Sequence, residues 1–125
     1  MPTEILERCD AIEECYEFML AYAAQGLPSD ETSPRVREFL RSAVIALDGL
    51  AESCRAAMKG SAFLAVLDRD AGDSLAAIEL VLAQPAISSQ LIDNLNASIH
   101  LRALITDLFL LGEILRTQAA LAISA

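Results

Sequence analysis

Val36, Leu40, Ala43, Leu47, Leu50, Cys54 and Ala57 step along the chain by alternating fours and threes. This spacing returns each apolar side chain to one face of a helix with ~3.6 residues per turn, and to no single face of a strand. Two other stretches carry the same spacing: Ile5, Cys9, Ile12, Tyr16, Met19, Ala23; and Leu64, Leu67, Ala71, Leu75, Ile78, Leu82. A chain written in this period folds as helices packed on helices. Five glycines and four prolines interrupt 125 residues, too little turn material for a sandwich of short strands.

The punctuation predicts four helices, at about 3–25, 34–59, 61–84 and 89–117. Gly26 and Pro28 close the first. Ser33 followed by Pro34 reads as cap and first-turn proline of the second, after a polar, mobile loop. Gly60 ends the second, and Gly49 inside it costs about 1 kcal/mol against alanine while leaving room for a close helix approach. Pro85 ends the third, and Ser88 or Ser89 caps the fourth. The small apolar tail ALAISA is expected to fray. Connections this short make neighbours antiparallel, so the expected fold is all-α: an up-down-up-down antiparallel four-helix bundle, one domain over residues 1–125.

Hydrophobic residues make up 54% of the chain and aromatic ones 5%, with no tryptophan, so the core must be aliphatic. A formal net charge of −9 argues against binding nucleic acid or anionic lipid, both of which need a concentrated basic face. No run of ~18 uncharged apolar residues suggests a membrane span. Cys9, Cys15 and Cys54 form an odd set without a CxxC, behind an acidic start, which predicts reduced thiols in the cytoplasm. The first helix is acidic and the second carries Arg35, Arg37, Arg41, Arg55 and Lys59. Facing edges of this hairpin should therefore attract, and the acidic helix offers a surface to a basic protein partner.

The fourth helix has two apolar stripes. At ~100° per residue, Ala97, Leu101, Leu104, Leu108, Leu111 and Leu115 form one. Ile92, Leu95, Ile99, Ala103, Leu110 and Ile114 form another on nearly the opposite side. One bundle core accounts for a single stripe, so the second predicts a homodimer seam.

Asn96, His100 and Asp107 lie along one border between the stripes and form the candidate polar site. A partly buried histidine with a hydrogen bond is the plainest reading of His100. The pentapeptide HLRAL (100–104) resembles the H-box of sensor kinases, and histidine phosphotransfer domains are also helical bundles. That resemblance covers five residues and implies His100 as phosphoacceptor, although no ATP-binding segment follows it. In an antiparallel hairpin Cys54 lies opposite Ile5, one turn from Cys9, with Met58 near. The pair reads as small core hydrophobes or, alternatively, as a soft copper(I) or redox site. One histidine cannot supply a di-iron site, and the acids Glu7, Asp10, Glu13, Glu14 and Glu17 fall mostly off the apolar seam. No catalytic pair, cofactor motif or metal site is read. The expected function is a non-catalytic protein-interaction module, an adaptor, chaperone-like or regulatory subunit. The alternatives are histidine phosphotransfer through His100 and a thiol sensor or metal carrier using Cys9 and Cys54.

Overall fold

The computed structural model describes residues 2–124; residues 1 and 125, the ends of the expected domain, lie outside them. The protein is all-α, with six helices and, among the described residues, no strand: α1 (Pro2–Ala24), α2 (Arg35–Leu47), α3 (Leu50–Arg55), α4 (Phe63–Leu82), α5 (Ser89–Ala97) and α6 (Ile99–Ser124). No helix among these residues is long and apolar enough to cross a membrane.

The helix expected over 34–59 is two helices. Asp48 turns extended and Gly49 takes a left-handed φ of 91°, a conformation that glycine adopts without a Cβ penalty. Four carbonyls are left without intrahelical partners wherever an α-helix ends. Here Arg8 of α1 supplies donors: its Nη1 donates to the carbonyl oxygens of Ile45 (3.2 Å), Ala46 (3.0 Å) and Asp48 (2.9 Å). Its charge also faces the negative end of the α2 dipole. The close approach expected at Gly49 is thus made by a guanidinium, not by a second helix. The start moves as well. Pro34 occupies the cap position without a side-chain bond, and the helix begins at Arg35.

The helix expected over 89–117 is also two. Ser98, with φ −63° and ψ 142°, ends α5, and its hydroxyl accepts the Leu101 N–H at 3.2 Å to cap α6. Ser88 caps α5 in the same way, accepting the Leu91 N–H. The tail expected to fray continues α6 to Ser124.

The loop expected to be mobile is pinned. The Asp30 carboxylate pairs with Arg37 at 2.5 Å and accepts the Ile87 N–H at 2.9 Å. Arg37 donates onward to the carbonyls of Leu82 and Gln84. The hydrogen bond from Arg37 holds the Asp30 carboxyl below the usual carboxylate range. Beside this pair, the Tyr22 hydroxyl donates to the Ile87 carbonyl, and the Ser89 hydroxyl donates to the Tyr22 carbonyl while accepting the Leu27 N–H. The end of α1, the start of α2, the end of α4 and the start of α5 are joined there.

The core is aliphatic and lies between α1 and α4, each of which packs on α2, α3, α5 and α6. Of the expected seam of 34–59, every residue but Ala57 is buried. The faces of α1 and α4 are turned relative to expectation: Cys15 and Tyr22, and Ser74 and Val81, are buried, whereas Tyr16, Ala23, Leu64, Leu75 and Leu82 are only half-buried. Among the described residues no ion pair joins the acids of α1 to the bases of α2 or α3. Asp10 pairs instead with Arg116 of α6, at 3.5 Å.

Candidate functional site

The seam between α4 and α6 gathers most of the polar groups the sequence singles out, in an arrangement set by the break at Ser98. Because Ser98 is extended, α6 restarts with its Leu101, Leu104, Leu108, Leu111 and Leu115 face toward the core, and Asp107 goes in with it. Asp107 is 6% exposed and meets the Asp70 carboxyl of α4, within hydrogen-bonding reach, while its Oδ2 has no partner among the described residues. Burial first, then the hydrogen bond and charge of Asp70, push the Asp107 carboxyl up to about 7. Burial and a nearby like charge both disfavour the ionised form of the Asp107 carboxyl.

About two turns earlier on α6, the His100 side chain is half-exposed, with Nδ1 3.9 Å from Asp73 Oδ2. The plain reading of a partly buried, hydrogen-bonded histidine is corrected here: the imidazole stands at the surface, while it is the His100 backbone carbonyl that accepts a bond, from the buried Ser74 hydroxyl at 3.0 Å. Asn96 belongs to α5, across the break. It is 7% exposed, and neither its Nδ2 nor its Oδ1 has a partner among the described residues. Asn96, His100 and Asp107 therefore do not form one corridor, because the helix that would align them is interrupted.

The candidate dimer seam divides at the same place. Ile92 and Leu95 are core residues, inaccessible to a second chain while the fold is closed. Ile99 (76%), Leu110 (52%) and Ile114 (54%) are exposed, and Ala103 is half-buried. Leu110 and Ile114 form one wall of a groove of about 300 Å³, whose other wall is Ala57, Met58 and Phe63 from the α3–α4 connection and the start of α4. Phe109 and Leu121 add exposed apolar surface on the same helix.

Cys9, Cys15 and Cys54 are free and buried. Burial pushes the Cys9 and Cys15 thiols up to about 12, with Cys54 adding to the effect at Cys9. Thiols held protonated are poor nucleophiles and poor metal ligands. Among the described residues no three His, Cys, Asp or Glu side chains are gathered so as to hold a metal ion.

Three partners were missed from sequence. Asp70 and Ser74 sit on the true inner face of α4, one residue off the Leu64–Leu75 seam. Arg8, the one base of the acidic helix, carried no local sign of its role. Comparison with models of known protein families, with curated proteins and with solved structures gives no match.

Proposed function

We propose that this chain is a non-catalytic, cytoplasmic protein-interaction module: an up-down-up-down bundle of four legs, two of them broken, that works as a homodimer and receives an amphipathic helix of another protein beside α6. The legs are α1, α2 with α3, α4, and α5 with α6. Bonds between opposite ends support that order: Arg8 near the start of α1 lies on the end of α2, and Arg37 at the start of α2 reaches the end of α4. The observation that carries the functional reading is the groove between Met58, Phe63, Leu110 and Ile114. Apolar side chains line a cleft open to solvent, with methionine, which adapts to varied partners, in one wall. The exposed acids of α1 favour a partner helix with a basic flank.

A photo-crosslinking residue placed at Ile114 is expected to join a second protein in cells. One placed at Leu80, an equally apolar exposed position on α4, is not. Leu110→Glu should abolish the crosslink while leaving the circular dichroism helix signal intact. Equal crosslinking from both positions defeats the reading. Homodimerisation is tested by light scattering at micromolar concentration.

A second reading, histidine phosphotransfer, is favoured by one observation: the His100 imidazole is accessible on a helix face. Incubation with a phosphorylated response-regulator domain should then leave acid-labile phosphate on the wild type and none on His100→Gln.

A further inference from the structure

From Ser89 to Leu111 the chain contains no glycine and no proline, yet its helix is broken at a single residue, Ser98. On one straight helix the buried residues of α5 (Ile92, Leu95) and those of α6 (Leu101, Leu104, Leu108) would lie on nearly opposite sides. The extended Ser98 turns both sets into one core. Straightened, the leg would keep α5 in its own core and carry the α6 stripe out of it.

We propose that Ser98 is the hinge of an exchange between two copies of this chain: residues 89–124 straighten into one helix, and α6 enters the core of the second copy, whose α6 fills the seat left behind. The inference rests on the homodimer reading above and states how the second copy is engaged. The seat already exists, since α6 packs on α4 and α1 with Leu101, Leu104 and Leu108 fully buried, and a second copy offers the same seat.

Three features favour opening. In the closed form the buried Asn96 amide, two residues before the hinge, is unpartnered on both polar atoms, a cost to that form. It exposes Ile99 at the hinge. It also removes the turn around Ser98 from the continuous backbone ladder that a straight helix restores. Two contacts hold the bend: the Ser98 hydroxyl on the Leu101 N–H, and the Ser74 hydroxyl on the His100 carbonyl. The balance between them sits at one residue, and a one-residue hinge is the short connection from which exchange arises.

Two substitutions push the hinge in opposite directions. Ile99→Pro locks the bend. Proline suits the first position of α6, and Ser98 before it is already extended, as a residue preceding proline prefers. In a straight helix the same proline removes a backbone bond and clashes with the preceding turn. Ile99→Pro is therefore expected to weaken dimerisation by about 100-fold or more, and Ile99→Ala, which trims the side chain without fixing the hinge, far less. Ser98→Ala removes the cap and should strengthen dimerisation by about fivefold.

Full-length protein carrying Asp73→Cys and His100→Cys supplies a readout independent of proline. These side chains approach to 3.9 Å across the α4–α6 seam. In an exchanged dimer, mild oxidation joins two chains, giving a dimer band on a non-reducing denaturing gel. In a side-by-side dimer each chain closes on itself and runs as a monomer. A dimer in solution with monomer bands, or one unweakened by Ile99→Pro, overturns the exchange and leaves the homodimer standing. A wild-type chain that stays monomeric at high micromolar concentration overturns both.

Discussion

The two broken legs are interrupted by opposite means. At Gly49 the backbone leaves the helix through a left-handed glycine, and a cation from another helix covers the loose carbonyls. The apolar period runs through that break undisturbed, so Leu47, Leu50 and Cys54 all stay in the core. At Ser98 no residue demands a break. A serine cap and a buried Ser74 hydroxyl hold it, the apolar phase changes there, and an amide is left unpaired beside it. One interruption is written into local backbone chemistry; the other exists because a single core must receive two stripes.

The largest expected difference between the legs lies in their response to pH. The α2–α3 leg buries no acid, whereas the α5–α6 leg buries Asp107. The folded-state value of Asp107, about 7, lies above the ordinary value of 3.8 that the unfolded chain recovers. Below about pH 4 both states hold the proton and the contribution is fully present. From there to about 7 only the folded state holds it, so stability falls as pH rises, by up to tenfold in the folded-to-unfolded ratio per pH unit. Asp30, whose carboxyl is lowered, acts in the opposite sense, losing its contribution as pH falls through its folded value. Urea titrations of wild type and Asp107→Asn across this range isolate the term: the variant should show a flatter decline and exceed wild type at pH 7. Parallel curves would mean that burial does not raise the Asp107 carboxyl in the folded chain.

Next in size is Arg8→Ala. It leaves the end of α2 without its three charged hydrogen bonds and should cost about 2 kcal/mol. Hydrogen exchange separates this from a general loss: amides flanking Gly49 should open while those flanking Ser98 keep their protection. If both breaks loosen equally, Arg8 is not specific to the first leg.

Smaller effects come from exchanging the two break residues. Gly49→Ser forces a side chain into φ 91° and is expected to cost about 1 kcal/mol by thermal denaturation. Ser98→Gly should cost only a few tenths, because glycine is tolerated at an N-cap. Equal penalties would erase the distinction between a break needing a left-handed residue and one needing a cap.

This contrast also explains what could be read from the chain. The seam from Val36 to Cys54 was legible because the Gly49 break preserves the period. The seam of Ile92, Leu95, Ile99, Ala103, Leu110 and Ile114 reads as one face because Ser98, with no glycine or proline near it, resembles any serine in an amphipathic run. Asp107 stood out as an acid among leucines. Asp70 did not, since the apolar period runs through Leu64 and Leu75 while the buried face runs through Ser74 and Val81.

The sequence alone determined that the protein is helical, that its core is aliphatic and, to within two residues, where α1 and α4 start and stop. Those properties rest on local terms: backbone bonds four residues apart, caps three residues apart and a period set by one turn. Tertiary structure decided the phase of each helix, the turn at Ser98, the partners of Arg8, Asp30 and Asp107, and which apolar residues stayed outside. Those choices join groups far apart in the chain, such as Arg8 with Asp48 and Asp70 with Asp107. They are fixed only when all the helices compete for one core, because burying a stripe outweighs the few hydrogen bonds lost at a break.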